Sequence, residues 1–252
     1  MKGVRGWLGL GLLTVILGGE AAPSDMAAIM PAIAAHWRER SSLLQDYTCT
    51  SFSTVVVRNA AGEVESVAEV ERKVYYRSPD QMRSQFVRAT RDGQPMKEGD
   101  LRPGILKLVP LFKRRTGGPL RELRPEGFFL TSRQSFQFHL LREERREGIE
   151  TWVIEVTPME QKTWQRIMVW VDQGTLEVVR IEAESSVNPS VFVKSTRLAT
   201  DFIRVKDGTW LPGRAQTELE GRALFAGNRI ETVTRFTHYH INEGVDGEVF
   251  AR

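Results

Sequence analysis

The sequence contains a single cysteine, Cys49, among 252 residues, and it lacks the common catalytic motifs. One cysteine excludes an internal disulfide, and its position in a strand-like run predicts a buried thiol. No phosphate-binding loop, dinucleotide-binding glycine pattern or nucleophile elbow is present. After residue 21, no apolar stretch reaches the ~20 residues that a transmembrane helix needs. We therefore expect a protein that is not an enzyme and that uses no cofactor.

An excess of charge of one sign is also lacking, because 35 Lys and Arg residues stand against 32 Asp and Glu residues. This balance gives no argument for nucleic-acid binding, and the aromatic residues are not interleaved with a basic track. The basic group at residues 113–115 is either a contact for anionic lipid headgroups or a solvated loop. His238 and His240 share one face of a predicted strand, but no third ligand has a recognisable spacing, so we expect no metal site.

The first 21 residues have the organisation of a secretory signal peptide. Lys2 and Arg5 form a basic start, residues 6–17 are apolar, and Gly19 and Ala21 are the small residues of a cleavage site. The alternative is an uncleaved anchor, because residues 26–35 prolong the apolar character. We expect cleavage and export to the periplasm, without lipidation, since no cysteine follows the apolar segment. Residues 22–252 are then expected to form a single domain.

The C-terminal part consists of strand-like runs that are rich in Val, Ile, Thr and aromatic residues and are separated by Gly or Pro turns. The predicted strands cover residues 151–157, 165–172, 176–185, 192–205, 209–220 and 230–241. Three further strands are predicted before them, at residues 47–57, 63–77 and 81–89. Strands with such short links pair antiparallel, because parallel pairing needs a long crossover.

Two other segments differ from this pattern. Apolar residues at helical spacing predict an amphipathic helix over residues 25–44. Residues 97–133 contain four prolines, which exclude a persistent strand, yet they also carry many large apolar side chains. Such a segment is expected to lie against apolar surface, so we predict short helices that cover the sheet as a lid.

Three short motifs in the C-terminal part resemble those of one protein family. Residues 168–181 are similar to its strand–turn–strand pattern W-x-D-x-x-T-x-x-x-x-R, residues 207–212 to its D-G-x-W-x-P turn, and residues 236–242 to its closing F-x-x-Y-x-I-N. In this order they resemble the bacterial lipoprotein-carrier superfamily of LolA-like and LolB-like proteins and outer membrane lipoprotein-sorting relatives. The resemblance implies a mainly β fold with some α (α+β). Its large antiparallel sheet would be curled as an unclosed β-barrel of about eleven strands, covered by an N-terminal helix and a helical lid.

The resemblance also implies a function without catalysis. We expect a periplasmic carrier or binder of a hydrophobic acylated ligand, a lipoprotein or a lipid, in an apolar cavity under a mobile lid. The alternative is a periplasmic sensor or protein-interaction domain on the same scaffold, similar to regulators that bind an anti-sigma factor. The expected partners are a lipid or acylated protein and inner- or outer-membrane proteins, with peripheral membrane contact, no nucleic acid and a monomeric state.

Candidate ligand-binding residues follow from the lid segment and from strand alternation. For each of them, ordinary core packing is the alternative. The lid would contribute Leu101, Ile105, Leu108, Leu111, Phe112 and Phe129. The sheet would contribute Trp152, Ile154, Val156, Met168, Trp170 and Phe236.

Overall fold

The computed structural model describes residues 25–79, 81–101, 128–129, 136–159, 164–185, 193–205, 208–221 and 229–251. The chain begins with helix α1 (Met26–Leu43) and ends with the short helix α2 (Glu248–Ala251). The strands between them are β1 (Asp46–Arg58), β2 (Val64–Arg77), β3 (Gln81–Arg91), β4 (Gln94–Met96), β5 (Phe136–Arg146), β6 (Ile149–Pro158), β7 (Trp164–Asp172), β8 (Val178–Ser185), β9 (Val193–Arg204), β10 (Trp210–Gly221) and β11 (Arg229–Ile241). The predicted signal peptide, residues 1–21, lies outside the described residues.

Helix α1 starts at a polar cap and buries one face. The Asp25 side chain accepts a hydrogen bond from the Ala27 backbone N–H at 2.9 Å, which satisfies one of the free donors of the first turn. Ile29, Ile33 and Trp37 follow at intervals of four residues and are buried, as expected of an amphipathic helix. This confirms the predicted N-terminal helix. Among the described helices, none is long and apolar enough to span a membrane.

All eleven strands belong to one antiparallel sheet with the order β4-β3-β2-β1-β11-β10-β9-β8-β7-β6-β5. The sheet therefore joins two meanders, β1–β4 and β5–β11, through the pairing of the first strand with the last, where Tyr47 lies opposite Ile241. Within the described residues, β4 and β5 have a partner on one side only, so the sheet is not closed. The strand number, the antiparallel pairing and the open sheet confirm the expected architecture.

The strands predicted between residues 149 and 242 agree with the observed ones to about two residues at each end. Strand β5 is different, since the sequence interpretation assigned no element to residues 136–146. Phe136, Phe138 and Leu140 alternate with polar residues there, which is a strand signal. The second half of the strand, residues 142–146, contains only charged residues, so the alternation covers only its first half.

The helical lid is not shown by the structure. Of residues 97–133, the described ones are 97–101, which contain a 3₁₀ turn (Glu98–Leu101), and Phe128 and Phe129, which have helical backbone. The side chain of Leu101 and all of Ile105, Leu108, Leu111 and Phe112 lie outside the described residues. The lid and its ligand contacts therefore stay predictions.

Strand alternation and register divide the side chains of the sheet between two faces. We call the face that packs on α1 the inner face and the opposite one the outer face. One row of directly opposed inner residues crosses five strands from β8 to β1: Ile181, Thr200, Ala215, Thr234 and Ser53. The neighbouring outer row runs from β7 to β11: Met168, Glu182, Ala199, Gln216 and Val233.

Candidate functional site

Helix α1 covers the inner face of strands β5 to β9. Its residues Ile29, Ile33 and Trp37 form one buried cluster with strand residues such as Ile154 and Ile181. Ile33 and Ile154 are completely inaccessible to solvent. Full burial of a side chain of this size contributes roughly 1.5–3 kcal/mol. This part of the inner face is therefore a filled core, occupied by the side chains of the protein itself.

Phe128 and Phe129 extend this core towards the edge strand β5. The ring of Phe129 stacks on Trp37 with a centroid distance of 6.4 Å and on Phe138 with a distance of 6.1 Å. The ring of Phe128 meets Phe136 edge to face at 5.7 Å. The aromatic pair thus joins α1 to β5, and Phe129, predicted as a lid residue, is a buried member of the α1 core.

The inner face changes character between β9 and β1. Many of its side chains there are small or hydroxyl-bearing, although Leu198, opposite Thr217, belongs to the α1 core. We call the small ones the central strip: Ser51, Ser53, Thr200, Ala215, Thr217, Thr232 and Thr234. The Ser53 and Thr234 hydroxyls hydrogen-bond to each other at 2.9 Å. Beyond the strip lie two smaller apolar clusters, one around Val55 and Ile230 and one around Cys49 and Tyr76. Within the described residues, only Leu44, at the end of α1, reaches either cluster from the helix.

Small side chains have a structural consequence for the strip. Serine, threonine and alanine extend only a short distance above a sheet, so they do not by themselves fill the space that α1 fills over β5–β9. The strip is nevertheless continuous with the apolar core on one side and with the two smaller clusters on the other. Three of its members, Ser51, Thr200 and Ala215, are 5%, 5% and 6% exposed, so this part of the strip is covered in the structure.

A buried ion pair fixes the C-terminal half of α1 to the sheet. Arg40 Nη1 donates to Glu177 Oε1 at 2.5 Å, and Arg40 Nη2 donates to the Trp210 carbonyl at 2.7 Å. His36 Nε2 lies 3.2 Å from the same Glu177 oxygen. Burial, and next the positive charge of Arg40, lower the pKa of His36 below its ordinary value. At neutral pH the imidazole is therefore neutral, and Arg40 is the cation that faces Glu177.

The turn that presents Glu177 explains the first sequence motif. Asp172 Oδ1 accepts from the Gly174 N–H at 2.8 Å, and its Oδ2 accepts from the Thr175 hydroxyl at 2.6 Å. Leu176 then adopts a left-handed backbone with φ of 61°, and Glu177 follows directly before β8. The aspartate and threonine of the motif thus shape the β7–β8 turn, which positions the anchor of α1.

Within the described residues, the indole N–H groups of three core tryptophans have no hydrogen-bond acceptor. Trp37, Trp152 and Trp164 are 3%, 5% and 4% exposed, and their indole N–H groups meet no acceptor in the described part of the chain. Buried indoles usually find an acceptor, and a buried donor without one costs ~1–3 kcal/mol. These donors are an unexpected polar feature of an otherwise apolar core.

Two of the predicted ligand-binding residues, Met168 and Trp170, lie on the face opposite to the one that packs on α1. Met168 is opposite Glu155 and Trp170 is opposite Val153, whereas Ile154 is opposite Val169. Both side chains therefore belong to the outer face, where Trp170 Nε1 donates to Glu144 Oε1 at 2.5 Å. Alternation determines which residues share a face of one strand, but it does not determine which face is the inner one in the next strand. The predicted site therefore contained residues of both faces.

The other predicted sheet residues do lie on the inner face. Trp152, Ile154 and Val156 line the core under α1. Phe236 is opposite Ser51 and packs on the separate cluster of Cys49. The structure thus brings three of the six predicted sheet residues together with Phe129 and leaves Phe236 on the far side of the central strip.

A cavity of about 640 Å³ lies on the outer face, where the sequence indicated none. Its lining includes the apolar side chains of Met168, Ala199 and Val233. Ion pairs border it, among them Arg197–Glu184 at 3.2 Å and Arg229–Glu218 at 2.9 Å. Because these charges are already paired across neighbouring strands, they neutralise one another.

The structure also shows the surroundings of the Cys49 thiol and of the two histidines His238 and His240. Cys49 is buried, and burial raises the pKa of its thiol to about 12, so it stays protonated and unreactive at neutral pH. His238 has a left-handed φ of 54° at a β-bulge, and its neighbour His240 contacts Glu243. Among the residues that the structure describes, no group of three or more potential ligands could hold a metal ion.

Comparisons with known proteins found one family model and several solved structures that are similar to this chain. A family model described as "Uncharacterized protein" matches residues 130–252, slightly less than half of the chain, and no curated protein matches. Similar solved structures include a DUF1329 family protein from Desulfovibrio piger, with 15% identity, a TM-score of 0.49, and coverage of 90% of this chain and 98% of that one.

Two further structures are similar over most of the chain. A putative outer membrane lipoprotein-sorting protein domain from Vibrio parahaemolyticus has 11% identity and a TM-score of 0.48, and the match covers 88% of this chain and 97% of that one. A LolA superfamily protein from Nitrosomonas europaea has 15% identity and a TM-score of 0.39, with the same coverage of 88% and 97%. Similarity at this level concerns the fold alone, so the function has to be argued from the residues of this chain.

Proposed function

We propose that the protein binds the hydrocarbon part of an acylated molecule on the inner face of its sheet and acts as a periplasmic carrier or binder without catalysis. The observation that supports this best is the central strip. It is a region of small side chains beside a filled apolar core, and an acyl chain would have to displace whatever covers Ser51, Thr200 and Ala215, which are 5–6% exposed. The sequence analysis expected the binding site in a cavity under the lid, with ordinary core packing as the alternative for each residue. Because Phe129, Trp152 and Ile154 pack in the α1 core, the proposal places the site on the strip beside that core.

The energetics favour an acyl chain as the ligand. Burial of hydrocarbon gains ~0.8 kcal/mol per methylene, so a chain of about fourteen carbons offers on the order of 10 kcal/mol before the costs of binding. A carrier needs an interaction of this size because a bilayer offers the same acyl chain a comparable environment. Helix α1, held by Arg40 and Glu177, would form a fixed wall of the site, and the predicted lid would cover it.

A matched pair of substitutions tests the site. Ala215 lies in the central strip, and Ala199 lies on the adjacent strand but on the outer face, opposite Gln216. We expect Ala215→Trp to occupy the strip and to weaken binding of a fluorescent fatty acid at least tenfold. Ala199→Trp should leave the affinity within twofold of the parent protein. Thermal unfolding of both variants checks that the fold is retained.

The outcomes separate the alternatives. If the parent protein binds no acyl ligand, the proposal is refuted. If Ala199→Trp weakens binding and Ala215→Trp does not, the ligand occupies the outer cavity and the inner-face site is wrong. A large loss of stability in Ala215→Trp alone would mean that the strip is already filled, because overpacking a filled core costs roughly 1–3 kcal/mol.

The source of the acyl group can be distinguished in the same assay. A phospholipid and a synthetic lipopeptide that carries a diacylglyceryl group would compete with the fluorescent fatty acid. Stronger competition by the lipopeptide supports lipoprotein transport, and equal competition supports a general lipid binder. Mass spectrometry of the gently purified full chain would also detect lipid that is retained from the cell.

The outer cavity favours a second candidate function, a protein-interaction or sensor domain. The charged side chains that border the cavity can form contacts with a polar partner segment in place of their present ion pairs. Under this alternative, a specific protein would be captured by the parent chain but not by Ala199→Trp, and lipid would be absent from both preparations.

A further inference from the structure

Strand β3 is left largely uncovered at one end of the sheet. It pairs with β2 along its length, but the outermost strand β4 pairs only with Ala89–Arg91. Within the described part of the chain, Gln81–Arg88 therefore has a strand partner on one side only. A β-bulge at Val87 interrupts the register, so the regular part is Gln81–Phe86, about 20 Å long. We call Gln81–Phe86 the β3 edge.

The two ends of the sheet differ in how their edge strands are protected. An open edge presents backbone N–H and C=O groups that can pair with another strand, and charged side chains usually guard against this. Strand β5, at the opposite end, carries charges of both signs over residues 142–146. The β3 edge has one charged residue, Arg83, and an apolar side chain, Met82, that is 46% exposed. It is therefore the end of the sheet that is better suited to accept a further strand.

The two faces of the β3 edge differ in chemistry. Met82 lies opposite Tyr76, a member of the inner-face cluster around Cys49. Phe86 shares this face by alternation. Arg83 is on the outer face, and its Nη1 donates to the Val249 carbonyl at 2.6 Å. A strand added at this edge would place every second side chain beside apolar residues and the others beside Arg83.

The sheet next to this edge is basic. Lys73 is exposed and stands over the Tyr75 ring at 5.5 Å, and Arg77 donates to the Val245 carbonyl. These contacts are with neutral groups, so they do not cancel the positive charge of either residue. Residues 72–77 and 81–88 contain no acidic side chain, and their basic ones are Arg72, Lys73, Arg77, Arg83 and Arg88. Two of these, Arg72 and Arg88, form ion pairs with glutamates outside these ranges.

This arrangement selects among possible occupants of the edge. Opposite charges on neighbouring strands are favourable and like charges are unfavourable. A second copy of β3 would bring two basic regions together, so it fits less well than an acidic strand. Residues 102–127 of this chain also fit poorly, because their sequence is rich in proline and in basic residues.

We infer that the β3 edge binds an extended segment of another protein in which acidic and apolar residues alternate. The segment adds a strand to the sheet, with its acidic side chains beside Arg83 and its apolar ones beside Met82 and Phe86. Main-chain hydrogen bonds supply the affinity and the alternating side chains supply the specificity. The β3 edge is separate from the central strip and from the outer cavity, so this inference does not depend on the proposed acyl binding.

Synthetic peptides test the inference on the full chain. The probe is a peptide in which valine and glutamate alternate, and its control has lysine in place of glutamate. We expect the glutamate peptide to bind at least tenfold more tightly at low salt, with a smaller difference at high salt because ions screen exposed charges. A glutamate peptide with N-methylated backbone amides keeps the side chains but cannot donate main-chain hydrogen bonds, and its binding should be lost.

Charge reversal then locates the site. Arg83→Glu should invert the preference, so that the lysine peptide binds more tightly. Lys73→Glu should weaken binding of the glutamate peptide about threefold, because Lys73 is one strand further from the edge. Arg145→Glu is the matched control, since it makes the same change of charge on β5, where the side chain is 70% exposed. It should retain the preference of the parent protein.

Hydrogen exchange provides a readout that needs no substitution. Alternate backbone amides of an edge strand point away from its one partner. The glutamate peptide should therefore slow the exchange of every second amide in Gln81–Phe86 and leave the amides of β5 unchanged. This measurement also covers the case in which Arg83→Glu does not fold.

Each contrary result overturns a defined part of the inference. If the glutamate peptide does not bind, the β3 edge is not a docking site, and the acyl-binding proposal is unaffected. Undiminished binding of the N-methylated peptide would show that charge alone holds it and that no strand is added. Protection of β5 in place of β3 would also refute the inference, as would a dimer of the free chain in which Gln81–Phe86 is already protected.

Discussion

The ion pair between Arg40 and Glu177 gives a quantitative prediction about how α1 is held. The Glu177 side chain is 6% exposed and that of Arg40 is 14% exposed, with 2.5 Å between the charged atoms. Loss of one partner of a buried pair costs about 3–5 kcal/mol, because the other charge stays buried. Arg40 keeps some solvent contact and the Trp210 carbonyl, so we expect Glu177→Gln to lower the free energy of unfolding by about 3 kcal/mol.

A double-mutant cycle isolates the interaction from these desolvation costs. Glu177→Gln, Arg40→Met and the double variant would be unfolded in urea at pH 7.5, where His36 is neutral because its pKa is lowered. We expect a coupling energy of about 2 kcal/mol, in the upper part of the range for residues in direct contact. Hydrogen exchange of the α1 amides should accelerate in each single variant.

An exposed pair of the same chemistry serves as the control. Arg197 and Glu184 are 66% and 48% exposed at a separation of 3.2 Å, and such pairs contribute about 0–1 kcal/mol. If the coupling between Arg40 and Glu177 is no larger than that of the control pair, the ion pair does not anchor α1. The helix would then be held by its apolar face alone.

Three further predictions concern the sheet. Ile154→Ala should lower the free energy of unfolding by about 2–5 kcal/mol, because the side chain is completely buried, whereas Val87→Ala, at a position 52% exposed, should change it by less than about 0.5 kcal/mol. Glu147→Asn should raise the free energy of unfolding by ~0.5–1 kcal/mol, because Glu147 and Gly148 both have positive φ in the β5–β6 turn and asparagine tolerates that backbone better. Chemical unfolding measures the effect of these three substitutions. Cys49, whose pKa is about 12, should not react with a thiol reagent at pH 8 until the protein is unfolded in guanidinium. Rapid labelling of the native protein would contradict its burial.

The sequence was sufficient for the order and type of most elements. Short turns between runs of β-branched and aromatic residues require antiparallel neighbours, so the meander from β6 to β11 followed from local patterns alone. The spacing of Ile29, Ile33 and Trp37 likewise indicated a helix with one apolar face. These features depend on residues that are close in sequence, and local chemistry determines them.

Which face of each strand turns inward was decided only by the tertiary structure. Trp152 and Trp170 both lie in apolar strands, but the register between β6 and β7 places them on opposite faces. A shift of one residue reverses every side chain of a strand, and no local pattern fixes that register between strands. The ion pair that anchors α1 could not be predicted from local patterns either, because Arg40 and Glu177 are 137 residues apart in the chain.

The sequence by itself thus determined antiparallel strands with an amphipathic helix before them, because hydrophobic period and turn residues act locally, and the open sheet was an expectation from the family resemblance. The tertiary structure decided that α1 fills one part of the inner face, that small side chains line another, and that three indole N–H groups of the core meet no acceptor among the described residues. These are properties of surfaces assembled from distant strands, and packing creates them only when the strands meet.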